Sequence, residues 1–237
     1  MEFVSAALQR VRRELRASDY LYSNLSRLGR SKGIYLPKLQ SRLCLEGYPS
    51  SGNTFAMRLA CGLIAKNEIA SHTHAFGSLS RARRMSIPTV LLLRRPEDTI
   101  SSYCVRFKKE PTWATEEYID FHSRVASQPE KLLRLDFDAL TTRTHQAVMG
   151  LAHVLGVPMT EGRATALEHV TRQEIRADRE SQLHSVGADA IGWPTEEKEE
   201  KKTRIRETLM ASTHWHRCLE LYEDVQCKVP SIVFSST

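Results

Sequence analysis

The stretch Leu43-Cys44-Leu45-Glu46-Gly47-Tyr48-Pro49-Ser50-Ser51-Gly52-Asn53-Thr54-Phe55 decides the fold. Its first four residues have the composition of a short strand that ends at Gly47. After the Tyr48–Gly52 loop, Phe55, Leu59 and Leu63 recur at helical spacing, with Ala56, Ala60 and Ile64 on the adjacent stripe. That pattern predicts a largely buried helix. Gly47 to Thr54 has the spacing of a phosphate-binding P-loop, G-x-x-x-x-G-K-[ST], with Asn53 where the lysine belongs. The glycines still let the chain wrap an anion, and the amides at the helix start still point at it. The cation that reaches the outer phosphates of a triphosphate is missing.

Downstream, Ile87-Pro88-Thr89-Val90-Leu91-Leu92-Leu93 has no polar alternation, as expected of a parallel strand covered on both faces. It runs into Arg94-Arg95-Pro96-Glu97-Asp98-Thr99-Ile100-Ser101-Ser102. Pro96 suits the first turn of a helix. Two arginines at the carboxyl end of a parallel strand sit where open α/β sheets bind ligands. Ser102 falls about two helical turns farther on, and Arg94 also has the spacing to pair with Asp98. No metal-binding Asp ends this strand, so the loop is not matched by the partner that Mg-ATP requires. A helix over Trp113–Ser127, a strand over Leu132–Asp136 and a helix carrying Val148, Leu151, Ala152 and Leu155 before Gly156 complete an alternating pattern. Alternation of this kind predicts a parallel sheet with helices between the strands. The chain divides into a helical lead-in over residues 1–40 and an α/β domain over 41–237.

With 34 basic and 28 acidic residues, the chain carries a formal charge of +6. A basic balance suits anionic ligands, nucleic acid or membrane surfaces. No zinc finger or RNA-binding aromatic signature is present, which argues against nucleic acid. Arg10, Arg12, Arg13 and Arg16 beside Val4, Leu8, Val11 and Leu15 form a basic amphipathic pattern. It suits either peripheral contact with anionic lipid or packing on the domain. The longest uncharged, largely apolar run, Leu59–Ala65, is far short of the ~20 residues that cross a bilayer. Five widely spaced cysteines without zinc-ligand spacing read as free thiols, so the expected location is the cytoplasm.

The segment from Glu46 to Phe55 resembles the 5′-phosphosulfate loop of the PAPS-dependent sulfotransferases, written Tyr-Pro-Lys/Arg-Ser-Gly-Thr/Asn-Thr-Trp. Leu93 to Ser102 resembles their 3′-phosphate motif. Leu133 to Leu140 and Gly150 to Pro158 are similar to their downstream strand-and-turn and next helix. The resemblance implies a three-layer, parallel-sheet, P-loop-like sulfotransferase fold in a single domain. It implies transfer of a sulfuryl group from 3′-phosphoadenylyl sulfate to a hydroxyl or amine of a small-molecule or glycan acceptor, with no metal. Tyr48, Pro49, Ser50, Ser51, Gly52, Asn53 and Thr54 would hold the phosphosulfate, with Phe55 in the place of the usual adenine-stacking Trp. Arg94 and Ser102 would hold the 3′-phosphate. In Ser71-His72-Thr73-His74, His74 maps to the family's base and His72 to its preceding Lys.

One departure matters. Ser50 stands where the family has a Lys or Arg, so it donates a hydrogen bond but brings no charge to the departing oxygen. Arg95, His72 or a basic residue of the C-terminal region would have to compensate. Val186–Pro194 with Lys198, Lys201 and Lys202 is a loose counterpart of the family's closing basic loop, although a run like Glu196–Arg206 also reads as a solvated helix face. Phe76, Trp113, Tyr118 and Phe121 are the acceptor-pocket candidates, with core packing as their other reading. Two rival functions follow: a non-catalytic donor- or product-binding homologue, favoured by Ser50, and a P-loop kinase of a nucleotide or small molecule, disfavoured by Asn53.

Overall fold

The computed structural model describes residues 34–183 and 196–233, together with Val11, Glu14 and Ser18. Four strands, β1 (Leu43–Gly47), β2 (Ile69–Ser71), β3 (Thr89–Leu93) and β4 (Leu132–Asp136), form one parallel sheet in the order β2-β1-β3-β4. The helices are α1 (Asn53–Cys61), α2 (Phe76–Arg84), α3 (Pro96–Phe107), α4 (Pro111–Ser127), α5 (Phe137–Thr142), α6 (Thr144–Leu155), α7 (Glu161–Leu183), α8 (Glu196–Met210) and α9 (Trp215–Lys228).

Strand periodicity sorts them into two outer layers. Leu43 and Leu45 of β1, Val90 and Leu92 of β3 and Leu135 of β4 pack with α1, α6 and the start of α7. Leu91 and Leu93 of β3 and Leu132 of β4 face the other way, toward α2, α3, α4 and α9. All five residues of β3 are at most 1% exposed, as its unbroken apolar run predicts. The architecture is a three-layer α/β/α sandwich.

Several boundaries move for local reasons. The expected helix through Leu63 ends at Cys61, where Gly62 caps it, and Leu63 packs on the core from the following turn. β3 begins at Thr89, because Pro88 has no N–H to donate and contributes only its carbonyl, which accepts from the Cys44 amide at 2.9 Å. β2, α2, α7 and α9 have no counterpart among the expected elements. The basic amphipathic N-terminal stretch and the Val186–Pro194 segment lie outside the described residues, apart from Val11 and Glu14, which are helical. The described part of the charged C-terminal helix begins at Glu196. Among the described residues no helix is long and apolar enough to cross a membrane, and none of the five cysteines is paired.

Beneath the second face, His122 of α4 is 1% exposed, stacked on Tyr118 at 3.9 Å, with its Nδ1 donating to the Tyr118 carbonyl at 3.0 Å. Burial pushes its pKa down from 6.5 to about 4. Unfolded, this imidazole takes up a proton as pH falls below 6.5; folded, it resists until about 4. The unfolded state therefore binds more protons in that window, and stability is lost as pH drops through it. His122→Phe removes this contribution. Between pH 7 and pH 4 the variant should gain about 3 kcal/mol on the natural protein in urea denaturation. A gap that stays constant with pH would show that His122 is not the buried neutral group.

Candidate anion-binding site

The loop between β1 and α1 is shaped by close approach at its start and by left-handed backbone at its tip. A Cβ on Gly47 would lie 2.5 Å from the Leu92 carbonyl oxygen, so only glycine lets β1 and β3 meet there. Ser50 and Gly52 have φ of 69° and 95°, which turns the chain back on itself. A Cβ on Gly52 would lie 2.9 Å from Leu140. The first α-helical bond runs from the Ala56 amide to the Gly52 carbonyl, so the amides of Asn53, Thr54 and Phe55 lie ahead of it, at the positive end of α1.

Two of the loop carbonyls, those of Pro49 and Ser50, are taken up by side chains. Thr99 Oγ1 donates to the Pro49 carbonyl at 2.9 Å. That leaves Ser51 Oγ to donate to Thr99 at 3.3 Å. Tyr48 is 1% exposed and donates through its hydroxyl to the Ala114 carbonyl at 2.7 Å. Arg94 Nη1 donates to the Ser50 carbonyl at 3.0 Å, and its guanidinium lies 3.9 Å above the Phe137 ring. The two segments singled out in the sequence are thus in direct contact. Burial pushes the Arg94 pKa below its ordinary value, but a guanidinium is so strong a base that it remains a cation.

Several polar atoms in this corner are buried and make no hydrogen bond within the protein: Ser50 Oγ, both amide atoms of Asn53, and Nε of Arg94. Buried polar groups are ordinarily paired, so a cluster of orphans beside a guanidinium and a helix start marks a place suited to an anion. Ser102 is half-buried on α3, one turn beyond Asp98. Asp98 in turn meets Arg206 of α8 at 2.7 Å, and Arg206 is close enough for its charge to act on Arg94. Sequence reasoning missed Arg206. It lies in the charged run whose i,i+4 pairing is real, as Lys201 with Glu197 at 2.8 Å shows, and nothing in its spacing marks Arg206 as inward. Lys198, only 4% exposed, is a second inward cation of the same helix. Arg95 turns outward, pairing with Glu97 at 2.6 Å. Phe55 packs on the core with Arg172 5.7 Å over its ring.

The histidine segment crosses the end of β1. His72 and His74 both adopt left-handed backbone, with φ of 63° and 50°. Glu46, fully buried, accepts from the Thr73 amide at 2.9 Å and the His74 amide at 3.0 Å. The two rings lie 6.1 Å apart. His74 Nδ1 is 2.9 Å from the Gly47 carbonyl, which can only accept, so Nδ1 carries the proton and Nε2 is the basic nitrogen. His72 Nε2 contacts Thr54 Oγ1 at 3.4 Å. Burial, then the charges of Arg106 and Lys66, lower the His72 pKa, so this imidazole is neutral at neutral pH. Of the acceptor-pocket candidates, Phe76, Tyr118 and Phe121 are core residues at 6%, 0% and 6% exposure. Only Trp113 remains half-exposed. Among the described residues no cluster of His, Cys, Asp or Glu is arranged to hold a metal ion.

No family model matches the sequence, and no curated protein matches it. Among solved structures the chain is similar to mouse sulfotransferase SULT7A1 complexed with PAP. The two are 14% identical, with a TM-score of 0.49, over 81% of this chain and 92% of that one. A likeness that distant says nothing about chemistry, which rests on the residues themselves.

Two neighbouring substitutions should act with opposite sign in the ligand-free protein. Gly52→Ala introduces a strained φ and a contact with Leu140, and should cost about 1–3 kcal/mol. Asn53→Leu removes two unpaired buried atoms and should gain about 1 kcal/mol. Chemical denaturation reads both, and a destabilised Asn53→Leu would mean the amide is already satisfied.

Proposed function

We propose that this protein binds 3′-phosphoadenylyl sulfate and transfers its sulfuryl group to a hydroxyl or amine of an acceptor. The observation that carries the reading is the contact of Arg94 with the Ser50 carbonyl. It joins the phosphosulfate-type loop and the 3′-phosphate-type arginine in one corner, beside the orphaned polar atoms of Ser50 and Asn53. A nucleotide with anionic groups at both ends suits such a pair of subsites. Mg-ATP suits it less, because Asn53 supplies no charge to a terminal phosphate.

In this reading the α1 amides with Ser50, Ser51, Gly52, Asn53 and Thr54 hold the phosphosulfate. Arg94 and Ser102 hold the 3′-phosphate, with Arg206 adding positive potential. The donor supplies an activated sulfuryl group. The acceptor oxygen or nitrogen bonds to sulfur, the bond from sulfur to the phosphate oxygen breaks, and adenosine 3′,5′-bisphosphate leaves. The acceptor's proton passes to Nε2 of His74, whose tautomer is fixed by the Gly47 carbonyl. His72, neutral and bonded to Thr54, orients the loop's edge.

A binding-only role is the second reading, and it too has an observation behind it. Ser50 brings no charge, and Arg95 is turned toward Glu97. Turnover of labelled donor against alcohols, phenols, amines and sugars separates the two.

Adenosine 3′,5′-bisphosphate should raise the melting temperature, and Arg94→Ala should abolish that rise. Stabilisation by ATP-Mg alone would refute the donor assignment. His74→Ala should lower single-turnover transfer by about 10²–10⁴-fold while leaving bisphosphate affinity unchanged. His72→Ala should cost about tenfold or less. A reversal of the two would move the base to His72.

A further inference from the structure

A row of aromatic rings leads from the phosphate-type loop to the surface. Tyr48 of the loop meets Tyr103 edge-on at 5.5 Å, and Tyr103 meets Phe107 at 5.3 Å and Trp113 at 6.0 Å. The inner end is buried, and Tyr103 is tied down through its hydroxyl to Glu117 at 3.1 Å. The outer end is not, since Phe107 is 47% exposed. Large aromatic side chains are costly to leave in water, and a half-exposed ring continuous with a buried row marks a contact surface.

Its rim is mainly basic. Arg106, Lys108 and Lys109 flank Phe107 at the end of α3, with Glu110 next in sequence and Glu117 buried beneath the row. Lys109 Nζ lies 4.7 Å over the Trp113 ring, and Arg106 lies 5.2 Å from the Phe107 ring centre. Lys108 takes up left-handed backbone at the helix end, φ 51°, where the chain reverses into α4. Arg106 is also among the charges that lower the His72 pKa, after burial.

We infer that Phe107 and Trp113, rimmed by Arg106, Lys108 and Lys109, form the acceptor-side binding surface, and that it takes a flat aromatic molecule carrying a carboxylate or similar anionic group. The rings supply an apolar platform and the cations select the anion, so a neutral aromatic of the same size binds more weakly. Its role as acceptor surface rests on the transfer reading above, whereas its binding preference does not.

The probe is 6-hydroxy-2-naphthoate, with 2-naphthol as the neutral control, titrated calorimetrically into the full chain. The naphthoate should bind about tenfold more tightly than the naphthol, and Phe107→Ala and Lys109→Gln should each weaken it by about tenfold. Bisphosphate affinity should be unchanged in both variants. In turnover assays the same variants should raise the naphthoate KM with kcat retained. Equal binding of the two probes, or naphthoate binding indifferent to both variants, would overturn the inference. So would variants that lose only flotation with phosphatidylserine vesicles, because the patch would then be a lipid contact. Naphthoate binding that follows the variants in a protein that ignores the bisphosphate would uphold the surface and remove the transfer reading instead.

Discussion

The site depends on the locking of the Tyr48–Gly52 loop to the helices of the next crossover. Three of its bonds come from one direction: Thr99 to the Pro49 carbonyl, Arg94 to the Ser50 carbonyl, and the Tyr48 hydroxyl to Ala114. Each takes up a polar group that would otherwise compete for the space inside the loop. With the Pro49 carbonyl taken up by Thr99 of α3 and the Ser50 carbonyl by Arg94, two of the loop's acceptors are already occupied, while the amides at the start of α1 are not. A wrapping backbone otherwise has no reason to prefer anions, since it carries as many acceptors as donors. Anchoring the acceptors gives the loop its sign.

Arg94 holds both the loop and the charge of the site. Its planar group lies on Phe137 at the start of α5 and reaches Ser50 with one nitrogen. Stacking on a ring fixes the plane without using a hydrogen bond, so the remaining donors keep their directions. The cost of burying it is moderated by Asp98, which also holds Arg206. One carboxylate thus organises two guanidinium groups at the carboxyl edge of the sheet. A doubly charged phosphate is the kind of ligand that such an arrangement favours electrostatically.

Legibility in the sequence followed the range of the interactions involved. The unbroken Thr89–Leu93 run and the Gly47–Thr54 loop are local signals, and both were readable because burial on two faces and backbone wrapping each leave a composition mark. β2 has only three residues, too few to show a period. α7 is polar and exposed for much of its length, so no apolar stripe announced it. Phe76, Tyr118 and Phe121 were ambiguous because an aromatic at helical spacing fits a core as well as a pocket. Phe107 went unnoticed because its exposure is set by where α3 stops. Arg206 was hidden by its neighbours: in a run of alternating charges, only packing against α3 distinguishes the inward residue from the solvated ones.

The histidine segment shows how the strand that carries the loop also sets the base. Left-handed backbone at His72 and His74 costs about 1–2 kcal/mol at each non-glycine position. Glu46 works against this cost, since its buried side chain accepts hydrogen bonds from the Thr73 and His74 amides. The Gly47 carbonyl, one residue along β1, then fixes which ring nitrogen bears the proton. Glu46 and Gly47 are therefore positioning residues: one sets the backbone that aims the imidazole, the other its tautomer. Because both belong to β1, the distance from base to loop is set within a single rigid strand.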